Sequence, residues 1–432
     1  MSRPGLQLQH ALLAHVNEIS EGDVRKRLSV RNIALLLCFG FYLLIEVVYL
    51  FVRFHAQRFD LNLYYNTATR ILAGDIPFQD FPLEYPPFAL IPIIIPGILS
   101  HIFRSNFETY TAWFVIQNIV FGLLSGFFIF KTTVLSKQKA VYKYFILVAL
   151  ALPIFLFRFD PFPAFLTSVF IYYLSRKPVL SGFMLASSIA AKLYTIIFVP
   201  IILLFFWVNR AFKPFFSFLM GGFIVVLIMF LAYLLTPGHV LFDFLGYHSS
   251  RGIHIESLSG GILLFLNWAN LIGLDVLHNY GAFHLATQSS QSVLAAITIV
   301  TPLAFIALSA LIFKSFQIEK RNRKSISVLW LSKAFVAQLV LFLLLNKVFS
   351  PQYLIWLLPV IPFCGKRIFL IFSAIVMLTV IIFPGEYHHL VAKHIGLILI
   401  LNLRNVLLIW LLIESIANLF PTARRSPRPF TA

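Results

Sequence analysis

Charged residues and cysteines are both scarce in this 432-residue chain. Only 12% of the residues are Asp, Glu, Lys or Arg, whereas soluble domains carry about 25%, so a soluble globular protein is excluded. The two cysteines, Cys38 and Cys364, lie in apolar runs, so neither a disulfide framework nor a cysteine metal site is indicated. No Walker sequence and no GxGxxG motif occurs, which leaves a soluble nucleotide without a recognisable site.

What the chain has in abundance is apolar residues in long runs. It is 60% hydrophobic, and its mean hydropathy is +0.89. The backbone within a bilayer must satisfy its own hydrogen bonds, so only helix bundles and closed barrels span it. The apolar runs are continuous rather than alternating, which favours helices. The sequence therefore predicts an all-α polytopic membrane protein, and no cleavable signal peptide precedes the first apolar run.

The formal net charge of +18 does not indicate nucleic-acid binding, because the basic residues cluster in short loops between apolar runs. That distribution is typical of cytoplasmic loops under the positive-inside rule. The clusters lie in the N-terminal tail and at 131–143, 176–177, 210–213, 314–324, 366–367 and 424–428. If all of them are cytoplasmic, an even number of crossings separates each neighbouring pair.

This parity condition sets the topology that we expect. Three apolar runs, 33–52, 88–99 and 107–130, separate the N-terminal tail from the cluster at 131–143, so only two can cross. Run 88–99 is short and contains Pro92 and Pro96, whereas a span needs about 20 residues. We interpret it as a re-entrant or juxtamembrane helix on the external face. Run 261–272 is interpreted in the same way, within a long external segment at 236–290.

The other runs form pairs that meet externally, and the total is about twelve transmembrane helices. They are 145–157 with 162–174, 180–191 with 194–208 around Lys192, 215–235 with 293–313, 326–345 with 354–364, and 368–383 with 395–419. The hairpin at 180–208 is too short for two complete spans. Residues 1–32 and 421–432 are then cytoplasmic tails, and 33–420 form a single membrane domain whose external loop is 54–106.

Within that loop, the stretch 58–87 holds four acidic residues, Asp60, Asp75, Asp80 and Glu84. The sequence after Asp60 has helical periodicity, with Tyr64 on the same face, and Gly74 provides a stop. A carboxylate at the membrane surface can take a proton from an acceptor hydroxyl. Asp is also a favoured helix cap, so a purely structural role for Asp60 stays open.

The corner at Glu84 in this loop and four further segments carry polar residues to the same predicted side. Glu84 and Tyr85 precede two prolines that make a rigid corner, and Asp160 is either a helix cap or a group lining a site. The lysine and arginine side chains on these segments could bind an anionic lipid head group, although any one alone could be a snorkelling side chain. The candidates on these segments are His248, Arg251, His254, Glu256, Lys347, Gln352, Tyr353 and, at the hairpin apex, Lys192. The spacing of His248 and His254 matches no strong metal-ligand pattern.

In order along residues 51–359, the segments YYNTATRILAGDIPF, EYPPFAL, RFDPFPA, SGFMLASSIAAKLYTIIFVP, YHSSRGIHIES and NKVFSPQYLIWLLP resemble the glycosyltransferase C superfamily, closest to glycosyltransferase family 87. The resemblance implies an inverting membrane hexosyltransferase that takes a sugar, usually mannose, from a polyprenyl-phosphate donor on the extracytoplasmic face. It implies Asp60 as general base, with His248, Arg251, Lys347 and Gln352 around the donor phosphate.

The same resemblance assigns supporting positions to Glu84 and Tyr85. Many relatives have Asp-x-Asp where this chain reads Asp60-Leu61-Asn62, so no divalent metal or other cofactor is expected. The expected partners are the lipid-linked donor, a lipid or glycan acceptor and membrane lipids, with no nucleic acid and no second subunit. The expected location is the plasma membrane if the organism is prokaryotic.

Two other functional classes remain open from the sequence. A flippase or transporter of lipid-linked sugars would place polar residues through the spans, but in-span charges are few, among them Glu46, Lys333, Arg404 and Glu414. A structural scaffold leaves the clustered polar loops without an explanation. The acceptor, the sugar and the linkage are not determined by the sequence.

Overall fold

The computed structural model describes residues 58–103, 106–132, 137–236 and 250–420, together with the isolated positions 40, 44, 242, 244 and 246. The predictions for both tails, for the first span at 33–52 and for His248 lie outside these residues.

The described chain is almost entirely helical. Its α-helices are α1 Arg58–Leu72, α2 Leu90–Phe103, α3 Phe107–Thr132, α4 Lys137–Phe155, α5 Pro161–Tyr173, α6 Pro178–Ala191, α7 Val199–Asn209, α8 Phe212–Leu235, α9 Leu258–Trp268, α10 Ser290–Arg323, α11 Val328–Leu345, α12 Lys366–Val380, α13 Tyr387–Val391 and α14 Ile395–Ala417. Short 3₁₀ segments lie at Pro87–Ala89, Leu193–Phe198, Pro351–Leu357 and Ile361–Phe363, and a π-helical turn lies at Ile381–Gly385.

Seven helices in the described ranges are long and apolar enough to cross a membrane. They are Phe107–Thr132, Gln138–Phe155, Phe212–Leu234, Ser290–Arg323, Val328–Leu345, Lys366–Gly385 and Ile395–Ala417. Four shorter apolar helices accompany them, at Pro87–Phe103, Pro178–Ala191, Leu193–Asn209 and Leu258–Trp268. The prediction of an all-α, multi-pass membrane protein is confirmed, whereas the predicted count of about twelve spans is not.

Helices α1 and α2 form the start of the described chain. The predicted helix after Asp60 is α1, and it stops two residues before Gly74, whose φ of 106° suits glycine. Buried Tyr64 and Ala68 lie on one face of α1. The glycine at position 97 of α2 lets that helix approach closely, because a Cβ there would collide with the Ala68 side chain. The predicted short helix at 88–99 is thus a real element, 14 residues long in its α-helical part.

The predicted hairpin around Lys192 is present. Lys192 has an extended backbone (φ −158°, ψ 121°) between α6 and the 3₁₀ segment that leads into α7. Helix α6 packs directly on α8, since a Cβ at Gly182 or Gly221 would collide with the backbone of the other helix. The two arms of the hairpin are therefore short helices, and the first of them packs on the longer helix α8.

The structure differs from the sequence prediction at 354–364. This run was predicted as a span, but it forms two 3₁₀ segments, and Leu354, Ile355 and Leu357 are fully buried. Prolines at 351, 359 and 362 remove backbone donors that an α-helix needs. Non-helical backbone is tolerated at membrane depth where protein surrounds it, and this segment packs into the main core.

A small three-stranded antiparallel sheet was not predicted. Its strands are β1 Ile253–His254, β2 Asp275–Asn279 and β3 Ala282–Ala286, in the order β1-β3-β2. Together with α9 it packs on the first half of α14, through Leu263, Leu264, Leu285, Ile398 and Leu401. The sheet therefore places the polar segment at 250–257 against the end of the helix bundle.

Candidate functional site

The site begins with an ion pair between Asp60, in the first turn of α1, and Arg158, in the turn between α4 and α5. Arg158 Nη1 contacts Asp60 Oδ2, and the two side chains are 8% and 23% exposed. Asn118 Nδ2 donates hydrogen bonds of 2.8 Å to the carbonyls of Leu156 and Arg158, which holds the turn in place. Asp60 is the third described residue of its helix, and its carboxylate forms an ion pair.

Asp160, two residues further on, anchors the hairpin apex. Its fully buried carboxylate accepts hydrogen bonds from Lys192 Nζ at 2.8 Å and from Trp356 Nε1 at 2.6 Å. Asp160 is the residue before α5, yet its side chain makes no capping hydrogen bond. Burying a carboxylate is costly unless it is paired and hydrogen-bonded. The structure meets that condition by joining three segments that are far apart in the chain.

Aromatic rings fill the space between these two carboxylates. Tyr64 packs against Tyr85, Phe114 and Phe159, at centroid distances of 6.1, 5.4 and 5.7 Å. Burial raises the pKa of the Tyr64 hydroxyl well above its ordinary value, and the charge of Asp160 adds to this effect. The half-buried Glu84 interacts with the neighbouring Tyr85 hydroxyl. The predicted corner thus contacts the site.

A stack of three aromatic rings forms the centre of the site. Trp356 lies between Tyr194 and Tyr353, with centroid distances of 4.1 Å to each. Burial raises the pKa of the Tyr353 hydroxyl; the charge of Arg251 lowers it, whereas those of Asp160 and Glu84 raise it. The charges of Asp160, Glu84 and Arg251 therefore all act on Tyr353, and Arg251 belongs to a second cluster.

That second cluster is rich in positive charge. We call it the cationic cluster: Arg251, Lys347 and Arg404, with Glu256 as the one carboxylate that pairs with it among the described residues. Burial lowers the pKa of Lys347, and the charge of Arg251 lowers it further. Arg251 Nη2 donates to the Tyr280 carbonyl at 3.2 Å. The cluster therefore gathers three cationic side chains around the segment at 250–257.

Two buried histidines, His254 and His284, border the cationic cluster, with their ring centroids 5.9 Å apart. Burial lowers the pKa of His254 well below its ordinary value, and His284, Arg251 and Arg404 add to the shift. Burial also lowers the pKa of His284, as do Arg251 and Lys347. His254 Nδ1 accepts from the Glu256 backbone N–H at 3.3 Å. Both rings are consequently neutral near pH 7, and they contribute no positive charge.

A buried ion pair fixes this segment to the membrane helix α14. Arg404 Nη1 donates to Glu256 Oε2 at 3.1 Å, and both side chains are fully buried. Arg404 Nη2 also donates to the Glu256 carbonyl, and its guanidinium lies 4.0 Å from the centre of the Phe349 ring. Burial raises the pKa of Glu256 to about 7, although the Arg404 charge opposes the shift. The His254 backbone N–H donates a hydrogen bond of 2.9 Å to the Lys347 carbonyl, which joins this segment to the loop after α11.

A cavity of about 380 Å³ lies beside the Asp60–Arg158 pair. Its lining consists of Phe283, Phe383, Pro384, Tyr387, His388 and Val391. The Phe383 ring is 5.7 Å from the Arg158 guanidinium, and Tyr387 is close enough to Glu256 for the carboxylate charge to act on its hydroxyl. The cavity therefore lies near Arg158 on one side and near Glu256 on the other.

Most of the residues predicted from the sequence meet at this end of the bundle. The structure brings together Asp60, Tyr64, Glu84, Tyr85, Asp160, Lys192, Arg251, His254, Glu256, Lys347 and Tyr353, with Gln352 half-buried next to Tyr353. Lys192 is the exception in role, since it binds Asp160 and does not lie among the cations predicted at the donor phosphate.

Four residues of the site were not predicted: Arg158, His284, Trp356 and Arg404. Arg158 and Trp356 lie inside segments that the sequence singled out, next to chosen residues. Arg404 had a usable signal, because an ionisable residue inside a span is costly and generally functional. His284 had none, because its partner His254 is thirty residues away and the strands that join them are short.

No protein-family model matches the chain, and no curated protein matches its sequence. The fold and the site define a multi-pass α-helical membrane protein with a buried polar centre at one end of its helix bundle.

The neutral histidines predict a specific pH dependence of stability. An unfolded histidine binds a proton below about pH 6.5, whereas His254 and His284 in the folded state do not until lower pH. Stability is therefore expected to fall as the pH drops below about 6.5, by at most ~1.4 kcal/mol per pH unit for each histidine. When the pH is lowered from 8 to 5, the thermal midpoint in detergent should fall less for His254→Gln/His284→Gln than for the wild type. Parallel curves for the two proteins would contradict the expectation.

Proposed function

We propose that this chain is an inverting membrane glycosyltransferase. It transfers a sugar, mannose by the resemblance, from a polyprenyl-phosphate donor to a lipid or glycan acceptor. The proposal rests mainly on one observation: the partly exposed carboxylate of Asp60, which pairs with Arg158, and the cationic cluster around Glu256 meet at the same end of the helix bundle.

Asp60 is suited to the role of general base. One carboxylate oxygen contacts Arg158, and the side chain is 23% exposed, so an acceptor hydroxyl can approach it from the open side. A guanidinium next to a carboxylate favours the ionised form, which is the form that a base requires. In the proposed step the acceptor hydroxyl transfers its proton to Asp60 while its oxygen bonds to the anomeric carbon. The bond from that carbon to the phosphate oxygen breaks, and its electron pair leaves with the polyprenyl phosphate.

The cationic cluster is suited to the leaving phosphate. The charge of Arg251 contributes to lowering the pKa of Lys347 and of the two buried histidines, so Arg251 and Lys347 act on the same small region of the site. Arginine presents a planar set of donors that matches phosphate, and fixed positive charge stabilises a departing anion. We propose that Arg251 and Lys347 bind the donor phosphate, with Gln352 and His248 nearby, and that Arg404 and Glu256 position them.

The cavity between the two clusters is the proposed acceptor position. Its aromatic lining, Phe283, Phe383 and Tyr387, offers flat apolar faces to a sugar ring or to the head group of a lipid. Asp160, Lys192 and Glu84 then act as supporting residues: they hold the turn of Arg158 and the ring stack in position.

The same proposal includes the membrane arrangement. We propose about twelve spans, both termini cytoplasmic and the site on the extracytoplasmic face. The charge distribution of the sequence supports this sidedness, and the convergence of the loops at 158–160, 192, 250–257 and 346–353 supports a common face for them.

A transporter of lipid-linked sugars is less well supported, because the described charges within spans do not line a path. Arg404 pairs with Glu256, Glu414 lies 3.4 Å from Arg367, and Lys333 Nζ donates to the Asn418 carbonyl at 3.1 Å. These groups are engaged near helix ends or with loops, where they stabilise the fold.

The proposal is tested by assaying the purified protein with polyprenyl-phosphate mannose labelled in the sugar and a mixture of membrane lipids and glycans. We expect a new covalent product that retains the label, with release of polyprenyl phosphate. A protein in sealed vesicles that moves the labelled lipid between leaflets without any such product would overturn the transferase and favour transport.

Lys347 gives a sharper test of the donor site. Replacing it with Met removes one charge-assisted interaction, worth about 1.5–3 kcal/mol, so kcat/KM for the donor should fall by about 10- to 100-fold. The loss should appear mainly as a raised KM. Its size should decrease as salt is added. The matched control is Lys177→Met, an exposed lysine at the turn before α6, which should leave the donor kinetics unchanged. Equal kinetics for both variants would remove Lys347 from the donor site.

A further inference from the structure

The turn between α12 and α14 carries three potential metal ligands that the proposed reaction does not use. Each of the three residues Glu386, His388 and His389 offers one ligand atom. These three atoms lie within 4.8 Å of one another. His389 Nδ1 is 2.6 Å from Glu386 Oε2. The rings of His388 and His389 have centroids 3.9 Å apart, and that of His394 lies 5.6 Å from His389. Nowhere else in the described ranges do three such ligands meet this closely.

We propose that Glu386, His388 and His389 form a binding site for a divalent transition-metal ion, with zinc as the ion to be tested. Two imidazoles and one carboxylate suit zinc and its first-row neighbours. Calcium and magnesium are disfavoured because they prefer sites made wholly of oxygen ligands. The protein supplies three ligands, so a four-coordinate zinc ion keeps at least one coordination position for water or for a further group.

The geometry needs only a small adjustment to hold the ion. Zinc bonds of about 2.0–2.2 Å place neighbouring ligand atoms of a tetrahedron about 3.3 Å apart, against separations of at most 4.8 Å here. Glu386 and His389 are 49% and 45% exposed, so their side chains can rotate toward each other. The contact between His389 and Glu386 is also a hydrogen bond that an ion can replace without moving the backbone.

The backbone of the turn is held in place at its C-terminal end. The His394 N–H donates to the His389 carbonyl at 2.9 Å. Lys393 has a left-handed φ of 60°, and its Nζ donates to the carbonyl of Leu274 beside the small sheet. A pre-formed backbone lowers the entropy cost of binding an ion.

The site lies at the edge of the cavity described above. His388 and Tyr387 line that cavity, together with Phe383, whose ring faces Arg158. An ion on this trio would cross-link the wall of the cavity and stabilise it. This role goes beyond the proposed sugar transfer, since it assigns the ion no part in breaking or forming the glycosidic bond.

The test uses the full chain in detergent, purified by a tag without histidine and freed of metal with a chelator. Zinc chloride alone is then titrated by calorimetry, with the bound metal counted by mass spectrometry and the thermal midpoint measured with and without zinc. We expect a saturable site of one zinc per chain and a rise in the midpoint, neither of which appears with magnesium. In His388→Ala/His389→Ala the affinity should fall at least tenfold and the rise should vanish.

The matched control is His101→Ala/His278→Ala, which removes two exposed histidines outside the trio and should bind zinc as the wild type does. The proposal is overturned if the wild type binds no zinc, or if the His388/His389 variant binds it as tightly as the control. Neither measurement depends on enzymatic activity, so the result is independent of the proposed transferase reaction.

Discussion

Replacing Asp60 with Asn is expected to lower kcat for sugar transfer by about 10²- to 10⁴-fold, the contribution typical of a general base. Asparagine keeps the oxygen that contacts Arg158 but cannot take a proton at neutral pH. The interaction is made in the transition state, so kcat and kcat/KM should fall together while KM for the donor changes little. Steady-state transfer from a polyprenyl-phosphate sugar, with the thermal midpoint as a check on folding, measures this.

The matched control for Asp60 is Asp75→Asn, in the same loop. Asp75 Oδ2 accepts a 2.6 Å hydrogen bond from Arg70 Nε, and both side chains are exposed, at 39% and 45%. An exposed pair of this kind contributes little to stability, so this variant should transfer sugar at the wild-type rate. Wild-type turnover by a folded Asp60→Asn protein would rule out the proposed base, and equal losses in both variants would indicate a general effect on the loop.

Arg404→Met is expected to destabilise the protein by about 3–5 kcal/mol, the cost of breaking a buried ion pair. Glu256 would be left fully buried with its carboxylate uncompensated, and its backbone carbonyl would lose the donor Arg404 Nη2. The segment at 250–257 and the loop after α11 should loosen together. Chemical unfolding in detergent and the yield of monodisperse protein measure the loss.

The double variant Glu256→Gln/Arg404→Met removes both charges, and most of the lost stability should return. The matched control is Arg367→Met, which breaks the pair between Arg367 of α12 and Glu414 of α14: Arg367 is 63% exposed and lies 3.4 Å from Glu414. Its cost should stay below about 1 kcal/mol. If Arg404→Met is no more destabilising than Arg367→Met, or if the double variant recovers nothing, Arg404 does not anchor the site through Glu256.

The secondary structure was largely predictable where apolar periodicity was uninterrupted. The sequence placed the helix after Asp60, the turn at 158–161 and the break at Lys192 close to their observed positions. It failed at 354–364, because a continuous apolar run has the same composition whether it spans lipid or fills a protein core. It also missed the small sheet, whose strands are two to five residues long and hold too few residues for a pattern.

The position of the polar groups was more predictable than their pairing. Polar residues concentrated in loops between apolar runs singled out Asp60, Asp160, Arg251 and Lys347, which the structure places at the same end of the bundle. Their partners could not be identified in this way. Asp160 is bound by Lys192 and Trp356, which are 32 and 196 residues away in the chain, and no local pattern encodes such a distance.

The amino-acid sequence by itself determined the class of this protein, a multi-pass helical membrane protein, because hydropathy and helical periodicity are local properties of the chain. Only the tertiary structure decided which charges meet. It paired Asp60 with Arg158 and Glu256 with Arg404, and it brought the charges of Asp160, Glu84 and Arg251 close enough to Tyr353 to act on its hydroxyl. The physical reason is that an ion pair depends on the separation of two groups in space, which is set by the packing of helices distant in the sequence.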